Sequence, residues 1–329
     1  MKSLKDNAMT SPILPRRHMI GGLIALATGL TVQSSGPARA DGMMPMRAIR
    51  QFDLGDMRVT VIDDGSFSMA TGMFGANAPK GAVGDLLASY GMARDKAEMP
   101  LQIMLIETEG VRVLIDTGMG EVTFHGNEQD NGRLINSLAA IGFAPNDIDI
   151  VLLTHGHPDH VGGLTLNGEP VFAAAQHYLS DIEFDFWTQE PDRAPPQYRE
   201  MVAVCRTHIL PVGGGIRSYG DGDEIAPGVF AVAAPGHTHG HHAVRLESRG
   251  EFLLHLVDTA VHYIAGLARP DWTVGADIDK ATAVATRKRL LAQAADEQLL
   301  IAGYHFPFPG VGRIMRLGDG FRYVPVPLV

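Results

Sequence analysis

The chain has 329 residues, of which 45% are apolar and 19% charged, and its 27 basic and 37 acidic side chains give a net charge of −10. This composition is typical of a globular protein with a sizeable core, and the negative charge argues against binding to nucleic acid or to an anionic membrane. The one cysteine, Cys205, excludes an internal disulfide, a cysteine-rich zinc site and an iron–sulfur cluster. The 14 histidines are therefore the residues to follow along the chain.

The first 40 residues have the pattern of an export signal. Arg16-Arg17 precede an uncharged apolar stretch over 19–32, and the small residues of Ala38-Arg39-Ala40 then form a cleavage signal. The apolar stretch is shorter than the roughly 20 residues that a membrane-spanning helix needs. Paired arginines are typical of the twin-arginine route, while an ordinary Sec signal or an uncleaved anchor is the alternative. We expect cleavage after Ala40, no stable membrane insertion afterwards, and a periplasmic or secreted protein.

Residues 41–329 are predicted to form one domain, because no Ser/Gly-rich linker or fixed-period repeat divides them. Runs rich in Val, Ile and Leu predict strands at 57–62, 101–106, 111–115, 149–153, 170–174, 229–233, 251–257 and 298–302. Helices are predicted at 132–141, 176–187 and 277–294. Strands interspersed with helices indicate a layered α/β fold. The Met-rich segment 65–99 has little periodicity, and two interpretations stay open for it, a flexible apolar flap over a site or an irregular surface loop.

The most informative motif is the run T-H-G-H-P-D-H at 154–160. It follows an apolar strand and places three imidazoles and a carboxylate in one turn. Imidazole and carboxylate are ligands for zinc and similar divalent ions. Gly156 allows close backbone approach and Pro158 restricts the local dihedral angle, so both favour a loop that is formed before metal binds. The motif therefore predicts a metal site rather than a polar loop with incidental histidines.

Three further apolar strands also lead into His or Asp. The strand at 229–233 is followed by four histidines, the strand at 251–257 by Asp258, and the strand at 298–302 by His305. Because the carboxyl ends of strands in an α/β sheet share one edge, we expect these groups to converge there. Composition alone leaves Asp258 open between a ligand and a turn residue. It also leaves open which one or two of the four histidines bind metal: His237, His239, His241 and His242.

With these motifs in order, the sequence resembles the metallo-β-lactamase superfamily. The resemblance is carried by H-G-H-P-D-H at 155–160, G-H-T-x-G-H at 236–241, Asp258 and His305. Within the superfamily the chain is most similar to methyl parathion hydrolase and its periplasmic relatives. That narrower similarity rests on T-H-x-H-P-D-H-V-G-G at 154–163, D-F-W at 185–187, P-F-P-G-V-G at 307–312 and Y-V-P-V at 323–326.

The resemblance implies a fold, a cofactor and a set of ligands. The fold is a four-layer αβ/βα sandwich with the site at one edge of its two sheets. Two divalent ions are implied, with zinc expected and manganese, cobalt or iron(II) as alternatives, and a hydroxide bridging them. The implied ligands are His155, His157 and His237 for the first metal, Asp159, His160 and His305 for the second, and Asp258 as the bridge. His241 would orient a ligand, and Asp258 and Asp159 would be the catalytic carboxylates.

The same resemblance narrows the activity to hydrolysis of a small neutral ester-type substrate. A cysteine ligand, as in some lactamases, would stand where Asp258 is found, and the remaining lactamases lack a bridging carboxylate. A phosphotriester such as methyl parathion, a lactone or an aryl ester is expected, with an acyl-homoserine lactonase of the quorum-quenching type as the alternative. A non-catalytic exported zinc-binding protein is a third, more distant hypothesis. We expect no nucleic-acid partner, and a homodimer is left open.

A neutral organic substrate needs apolar walls, and aromatic residues near the metal motifs are the candidates. The alternative for each of them is an ordinary place in the hydrophobic core. The predicted pocket residues are Phe74, Phe124, Phe184, Phe186 and Trp187.

Overall fold

A computed structural model describes residues 49–123 and 131–328 of the chain. The predicted export signal, its cleavage position and Phe124 lie outside the described residues. The strands of the described part are β1 (Ile49–Leu54), β2 (Met57–Ala70), β3 (Lys96–Thr108), β4 (Val111–Ile115), β5 (Ile150–Leu152), β6 (Thr165–Leu166), β7 (Glu169–Pro170), β8 (Gln176–Tyr178), β9 (Ile216–Arg217), β10 (Glu224–Ala226), β11 (Val229–Ala233), β12 (His242–Ser248), β13 (Glu251–His255), β14 (Leu300–Ala302), β15 (Val311–Leu317) and β16 (Gly320–Pro325).

The helices accompany these strands in mixed order along the chain. They are α1 (Ala82–Ser89), α2 (Leu134–Ala140), α3 (Pro158–Val161), α4 (Asp181–Thr188), α5 (Arg199–Gly213), α6 (Ala265–Ala268) and α7 (Lys280–Asp296), with short 3-10 turns at 71–73, 145–147, 162–164, 191–193 and 196–198. Among the described residues, none of these helices has the length and apolar character to cross a bilayer.

Two seven-stranded sheets form the centre of the fold. The first has the order β1-β2-β3-β4-β5-β8-β9 and the second the order β10-β11-β12-β13-β14-β15-β16. In the first sheet β4, β5, β8 and β9 run parallel to one another, and in the second sheet β13 and β14 are parallel. The remaining neighbours in both sheets are antiparallel. Parallel neighbours end at the same edge of their sheet, so β5 ends beside β4 and β8 in the first sheet, and β13 ends beside β14 in the second.

Apolar side chains fill three layers, because each sheet is buried on both faces. The layer between the sheets includes Val59, Val61, Met104, Val113, Ile115, Val229, Val244, Leu246, Leu253 and Val311. On the outer face of the first sheet, α2, α4 and α5 contribute Leu134, Leu138, Trp187, Val202, Cys205 and Ile209. On the outer face of the second sheet, α6 and α7 contribute Leu267, Leu290, Leu291 and Ala294. The four-layer αβ/βα architecture is therefore confirmed.

The strand predictions succeed where an apolar run has turn residues on both sides. The predicted bounds of β4 and β11 match residue for residue. The predicted strand at 170–174 is wrong, because only Pro170 belongs to a two-residue strand and the residues after it form turns. The predicted helix at 176–187 is half right: its first three residues form β8, and the helix starts at Asp181 after the cap Ser180.

The other helix predictions differ at their ends. The helix predicted at 277–294 runs instead over Lys280–Asp296, because the side chain of Asp279 caps it by accepting a hydrogen bond from Thr282 N at 3.1 Å. Helix α5, which is 15 residues long and has Pro211 inside it, was not predicted. A proline usually marks a helix end, so its sequence is atypical of a helix interior.

The irregular-loop interpretation of segment 65–99 is wrong, because strands and a helix occupy much of it. Strand β2 continues to Ala70 and pairs in register with the start of β3, so that Ala70 lies opposite Lys96. Between them, α1 buries Val83 and Leu87 in a hydrophobic cluster that also includes Ile264. The segment is thus a long two-stranded extension with a packed helix, and Phe67 within it lies edge-on to His305, with ring centroids 5.8 Å apart. Its apolar side therefore lies against the site, and the flexibility of a flap stays a prediction.

Candidate metal centre

Four strand ends bring the predicted ligands to one edge of the sandwich. The loop after β5 carries His155 and His157, and α3 directly after it carries Asp159 and His160. The others follow one strand each: His237 after β11, Asp258 after β13 and His305 after β14. All of these residues are buried except Asp159, whose side chain is 13% exposed.

The first group of donors consists of three imidazoles and one carboxylate. The Nε2 atoms of His155 and His237 lie 3.1 and 3.0 Å from Nδ1 of His157. Oδ2 of Asp258 lies 3.2 Å from His237 Nε2 and 4.0 Å from His155 Nε2. The four donor atoms lie within 4.8 Å of one another, which is the spacing needed around a single cation.

The second group lies on the other side of Asp258. Oδ2 of Asp159 lies 3.6 Å from His160 Nε2 and 3.4 Å from His305 Nε2. Oδ1 of Asp258 lies 3.6 Å from His160 Nε2, while its Oδ2 lies 3.3 Å from His305 Nε2. Asp258 therefore contacts both groups, in the position that a bridging ligand requires.

The chemistry of the donor atoms fits cations in both groups. Among the described residues, His160 Nε2 and Asp258 Oδ1 are buried without a hydrogen-bond partner. Three of the imidazoles face acceptor-only groups through Nδ1: His237 faces Asp277 Oδ1 at 3.0 Å, His160 faces Asp116 Oδ2 at 2.8 Å, and His305 faces the Pro100 carbonyl at 2.9 Å. Each Nδ1 therefore carries a hydrogen, which leaves each Nε2 to face the site, as a lone-pair donor once a cation takes the place of any proton there.

The imidazoles of the first group differ in how strongly they favour a positive charge. Burial and the neighbouring imidazoles hold the pKa values of His155 and His157 well below the usual range, so both are neutral. Burial also disfavours a charged His237, but hydrogen bonds with Asp258 and Asp277 outweigh it and raise its pKa to about 9. A proton is thus held between His237 and Asp258, which a bound cation would displace.

Backbone geometry fixes the loops that carry the ligands. Asp116 has a left-handed φ of +61° and accepts hydrogen bonds from the backbone N and Oγ1 of Thr154, each at 2.8 Å. The same carboxylate holds His160, so it joins the beginning and the end of the histidine motif. Gly236 has φ of +122°, and a Cβ there would lie 2.1 Å from Ala283 N, so only glycine fits before His237.

A buried ion pair supports His237 from behind. Nη2 of Arg287 lies 3.0 Å from Oδ2 of Asp277, and both side chains are almost fully buried. Arg287 also donates to the carbonyls of Thr259 and Trp272 at 2.9 and 2.8 Å. This role was not predicted, because Asp277 and Asp279 stand at the start of the predicted helix, where acidic residues are common as caps.

The prediction that Trp187 lines the substrate pocket is wrong. Its side chain is fully buried, and its indole N–H donates to Oε2 of Glu183 at 2.6 Å. The ring packs against Gly156, where a Cβ would lie 2.1 Å from Cδ1, and edge-on to His157 with ring centroids 5.2 Å apart. Trp187 is therefore a core residue beneath the histidine loop and does not line an open pocket.

The remaining aromatic candidates also pack into the protein to different extents. Phe74 is buried edge-on to His262, with ring centroids 5.4 Å apart, and is likewise a core residue. Phe184 is half-buried on the outer layer of the first sheet. Phe186 is half-buried too, and it lies 5.3 Å from the ring of the exposed His239. Phe186 is the predicted pocket residue that reaches the surface next to the histidine loops.

The three histidines that follow His237 lie outside the two donor groups. His241 donates through Nδ1 to the Ala234 carbonyl at 2.9 Å, and its Nε2 accepts from the backbone N of Asp258 at 3.3 Å. Burial lowers the pKa of His241 to about 3, so it stays neutral in this role. His242 donates to a carbonyl of its own loop, and His239 is exposed. The geometry thus places His241 where it orients the backbone of Asp258.

Comparison with known proteins places this geometry among metal-dependent hydrolases. An N-acyl homoserine lactonase from Bacillus sp. is 29% identical over 166 residues, which are 46% of this chain and 60% of that relative. The chain thus spans about 60% of the length of the curated relatives it matches.

Solved structures match over a larger share of the chain. AidC, a dizinc quorum-quenching lactonase in complex with the product N-hexanoyl-L-homoserine, has a TM-score of 0.78 at 26% identity, covering 86% of this chain and 98% of AidC. The hydrolase AbOPH of the beta-lactamase superfamily has a TM-score of 0.79 at 26% identity, covering 87% and 100%. The metallo-beta-lactamase superfamily profile matches residues 100–305. The chain therefore belongs to the metallo-β-lactamase superfamily.

Proposed function

We propose that this protein is a dinuclear metal-dependent hydrolase of small neutral ester-type substrates, and that N-acyl homoserine lactones are the substrate class to test first. The observation that carries the proposal is the position of Asp258, whose carboxylate contacts two separate groups of buried donors. The similarity to a dizinc lactonase supports both the number of metals and the substrate class.

The first cation would be held by His155, His157 and His237. The second would be held by Asp159, His160 and His305, and the two cations would share Asp258. When bound, a pair of divalent cations lowers the pKa of water towards 7 and polarises the carbonyl or phosphoryl group under attack. Zinc is the metal we expect, because imidazole-rich sites with carboxylates suit it.

The side chains of this site have separable tasks in such a reaction. With cations bound, the imidazoles of His237, His160 and His305 would be neutral and would direct their Nε2 lone pairs at the cations, because Asp277, Asp116 and a carbonyl hold their Nδ1 hydrogens. Burial excludes bulk water from the donors, which strengthens every electrostatic contact within the site. Asp159 is the one ligand with an exposed edge, so substrate and water would approach from its side.

A second substrate class rests on a different observation. The segments 154–163, 185–187 and 307–312 resemble methyl parathion hydrolase, which supports phosphotriesters and aryl esters as alternatives to lactones. A pair of divalent cations would supply the same chemistry to these esters, since all three classes have an electrophilic carbon or phosphorus bonded to an oxygen that a cation can polarise.

The test uses the purified chain with its metal content measured first. N-acyl homoserine lactones of short and long acyl chain, p-nitrophenyl esters and methyl parathion are assayed in parallel, with and without chelator. We expect about two metal ions per chain, turnover that chelator abolishes and zinc, manganese or cobalt restores, and the highest kcat/KM on a lactone. Full metal content with no turnover of any of these would favour a non-catalytic zinc-binding protein. The highest kcat/KM on methyl parathion or an aryl ester would transfer the proposal to that class.

We also propose that the protein is exported through its twin-arginine signal and acts in the periplasm or outside the cell. The pattern of residues 1–40 supports this proposal. N-terminal sequencing of the mature protein should give Asp41 as the first residue. Replacing Arg16-Arg17 by Lys-Lys should leave the precursor in the cytoplasm, whereas unchanged export would point to the Sec route.

A further inference from the structure

The carboxylate of Glu183 lies fully buried between two of the loops that carry the first donor group. Its Oε2 accepts the backbone N–H of Gly156 at 2.9 Å, between His155 and His157. Its Oε1 accepts the backbone N–H of Gly240 at 2.6 Å, three residues after His237. One side chain therefore spans from one histidine loop to the other.

The helix that carries Glu183 is fixed to the second loop by more than this contact. Oγ of Ser180 caps α4 and donates to the carbonyl of Gly240 at 3.2 Å. A Cβ on Gly240 would lie 2.6 Å from Ser180 Oγ and 3.1 Å from Glu183 Cγ, so the backbone approaches α4 closely. Both the N–H and the C=O of Gly240 are thus held by the first turn of α4.

The first loop is fixed to the same carboxylate in a comparable way. Trp187 donates its indole N–H to Oε2 of Glu183 and packs its ring against Gly156. Oε2 therefore accepts two hydrogen bonds, one from the loop and one from the ring beneath it. The orientation of His157 depends on this arrangement, because its ring lies edge-on to Trp187.

The charge of Glu183 has no counter-charge of its own. Within the described ranges Glu183 takes part in no ion pair, although burying a carboxylate costs free energy unless it is compensated. Three N–H donors supply part of this compensation. A cation bound by His155 and His157, one residue to either side of Gly156, would supply the rest.

We infer that Glu183 is a positioning residue for the first metal, which sets the distance between the loop of His155 and His157 and the loop of His237. The inference rests on the proposed metal centre but not on any particular substrate. Its consequence is selective: loss of Glu183 weakens the first donor group and leaves the second group, which α3 and the loop after β14 carry, close to its original affinity.

The test measures metal affinity in variants that retain one group. His305→Ala leaves the first group intact, and His157→Ala leaves the second. Glu183→Gln is added to each, and zinc affinity is measured by competition with a chromophoric chelator. An amide has a single oxygen and an NH2 group, so it cannot accept from both backbone N–H groups, and one of the two loops is released. We expect the first-group affinity to fall about 10- to 100-fold, as for other residues that hold a metal ligand. The second-group affinity should change less than about threefold, which is under half of the 1.4 kcal/mol that a tenfold change represents.

Two further variants keep the inference falsifiable. Asp185→Asn removes an exposed carboxylate from the same helix and should change neither affinity. Glu183→Asp retains the charge but is too short to reach both loops, and it replaces Glu183→Gln if the latter fails to fold by circular dichroism. Unchanged first-group affinity, or an equal loss in both groups, would overturn the inference. Since the titration needs no substrate, its outcome is independent of whether the lactonase proposal succeeds.

Discussion

The two donor groups share Asp258 but differ in what lies behind them. The first group is sealed, with Trp187 and Glu183 beneath one loop and the Asp277–Arg287 ion pair behind His237. The second group also has a buried carboxylate behind it, Asp116 at His160, and the ring of Tyr304 stacks on His160 with centroids 4.0 Å apart, but one of its residues, Asp159, reaches the surface. Buried charged supports hold ligands rigidly, whereas an exposed ligand gives access. The difference indicates that the first group anchors the centre and the second group faces the substrate.

Removing the shared ligand should have the largest effect, because it breaks both groups at once. Asp258→Asn retains the shape of the side chain but removes the negative charge that offsets two cations. We expect kcat/KM to fall by roughly a thousandfold, equivalent to about 4 kcal/mol, and the metal content to drop below two per chain. Steady-state kinetics and elemental analysis of the purified variant would measure both. A variant with near-normal turnover would show that Asp258 is not shared.

The anchoring role of the first group can be tested at its ion pair. Asp277→Asn still accepts from His237 Nδ1 but leaves the buried Arg287 without its counter-charge. We expect first-group metal affinity to fall about 10- to 100-fold and stability to fall by about 3–5 kcal/mol. Chelator competition and denaturant unfolding of the metal-loaded protein would measure these changes. Asp279→Asn is the matched control, since this exposed helix cap is two residues away and an asparagine caps almost as well.

The sequence predicts the residues of both groups but only part of what supports them. They follow apolar strands, so a common strand edge was expected for His155, Asp258 and His305, but β5 belongs to the first sheet and β13 and β14 to the second, and the residues meet because the two sheets pack with these strand ends on the same side. Glu183 and Asp277 could not be assigned in this way, because each contacts a loop more than 25 residues distant in sequence. No local periodicity records a contact of that kind.

The fold shows the same division between local and distant signals. Strand β4, bounded by turns, was predicted to the residue, and the layered class followed from the alternation of elements. The structure of 65–99 could not be predicted, because Ala70 pairs with Lys96, which lies 26 residues later in the chain. The prediction of pocket residues was wrong for Trp187 and Phe74 for a related reason. An apolar ring next to a metal motif can face either the substrate or the core.

The order of metal release should follow the exposure of the two groups. Because Asp159 is partly exposed and the first group is sealed, a chelator should remove the second metal several times faster than the first. Stopped-flow mixing of the cobalt-loaded protein with chelator should therefore show two phases. In His305→Ala only the slow phase should remain, and in His157→Ala only the fast one. A single phase in the unmodified protein, or the reverse assignment, would contradict the comparison.

Trp187 provides the smallest and most specific test, since it decides whether the sealed side of the centre takes any part in substrate selection. Trp187→Phe retains an aromatic ring beneath Gly156 but removes the indole donor to Glu183 and leaves a small cavity. The Glu183 carboxylate would lose one of its three donors. This loss, together with the cavity, should lower the free energy of unfolding by about 2–4 kcal/mol. Substrate preference should not move, because a fully buried ring does not contact the acyl chain. The ratio of kcat/KM for a long-chain and a short-chain lactone should therefore stay within about twofold, far below the 10- to 200-fold that a lost apolar pocket contact produces. A change of that larger size with both metals present would mean that the ring becomes accessible during turnover, and that the substrate reaches the first group as well as the second.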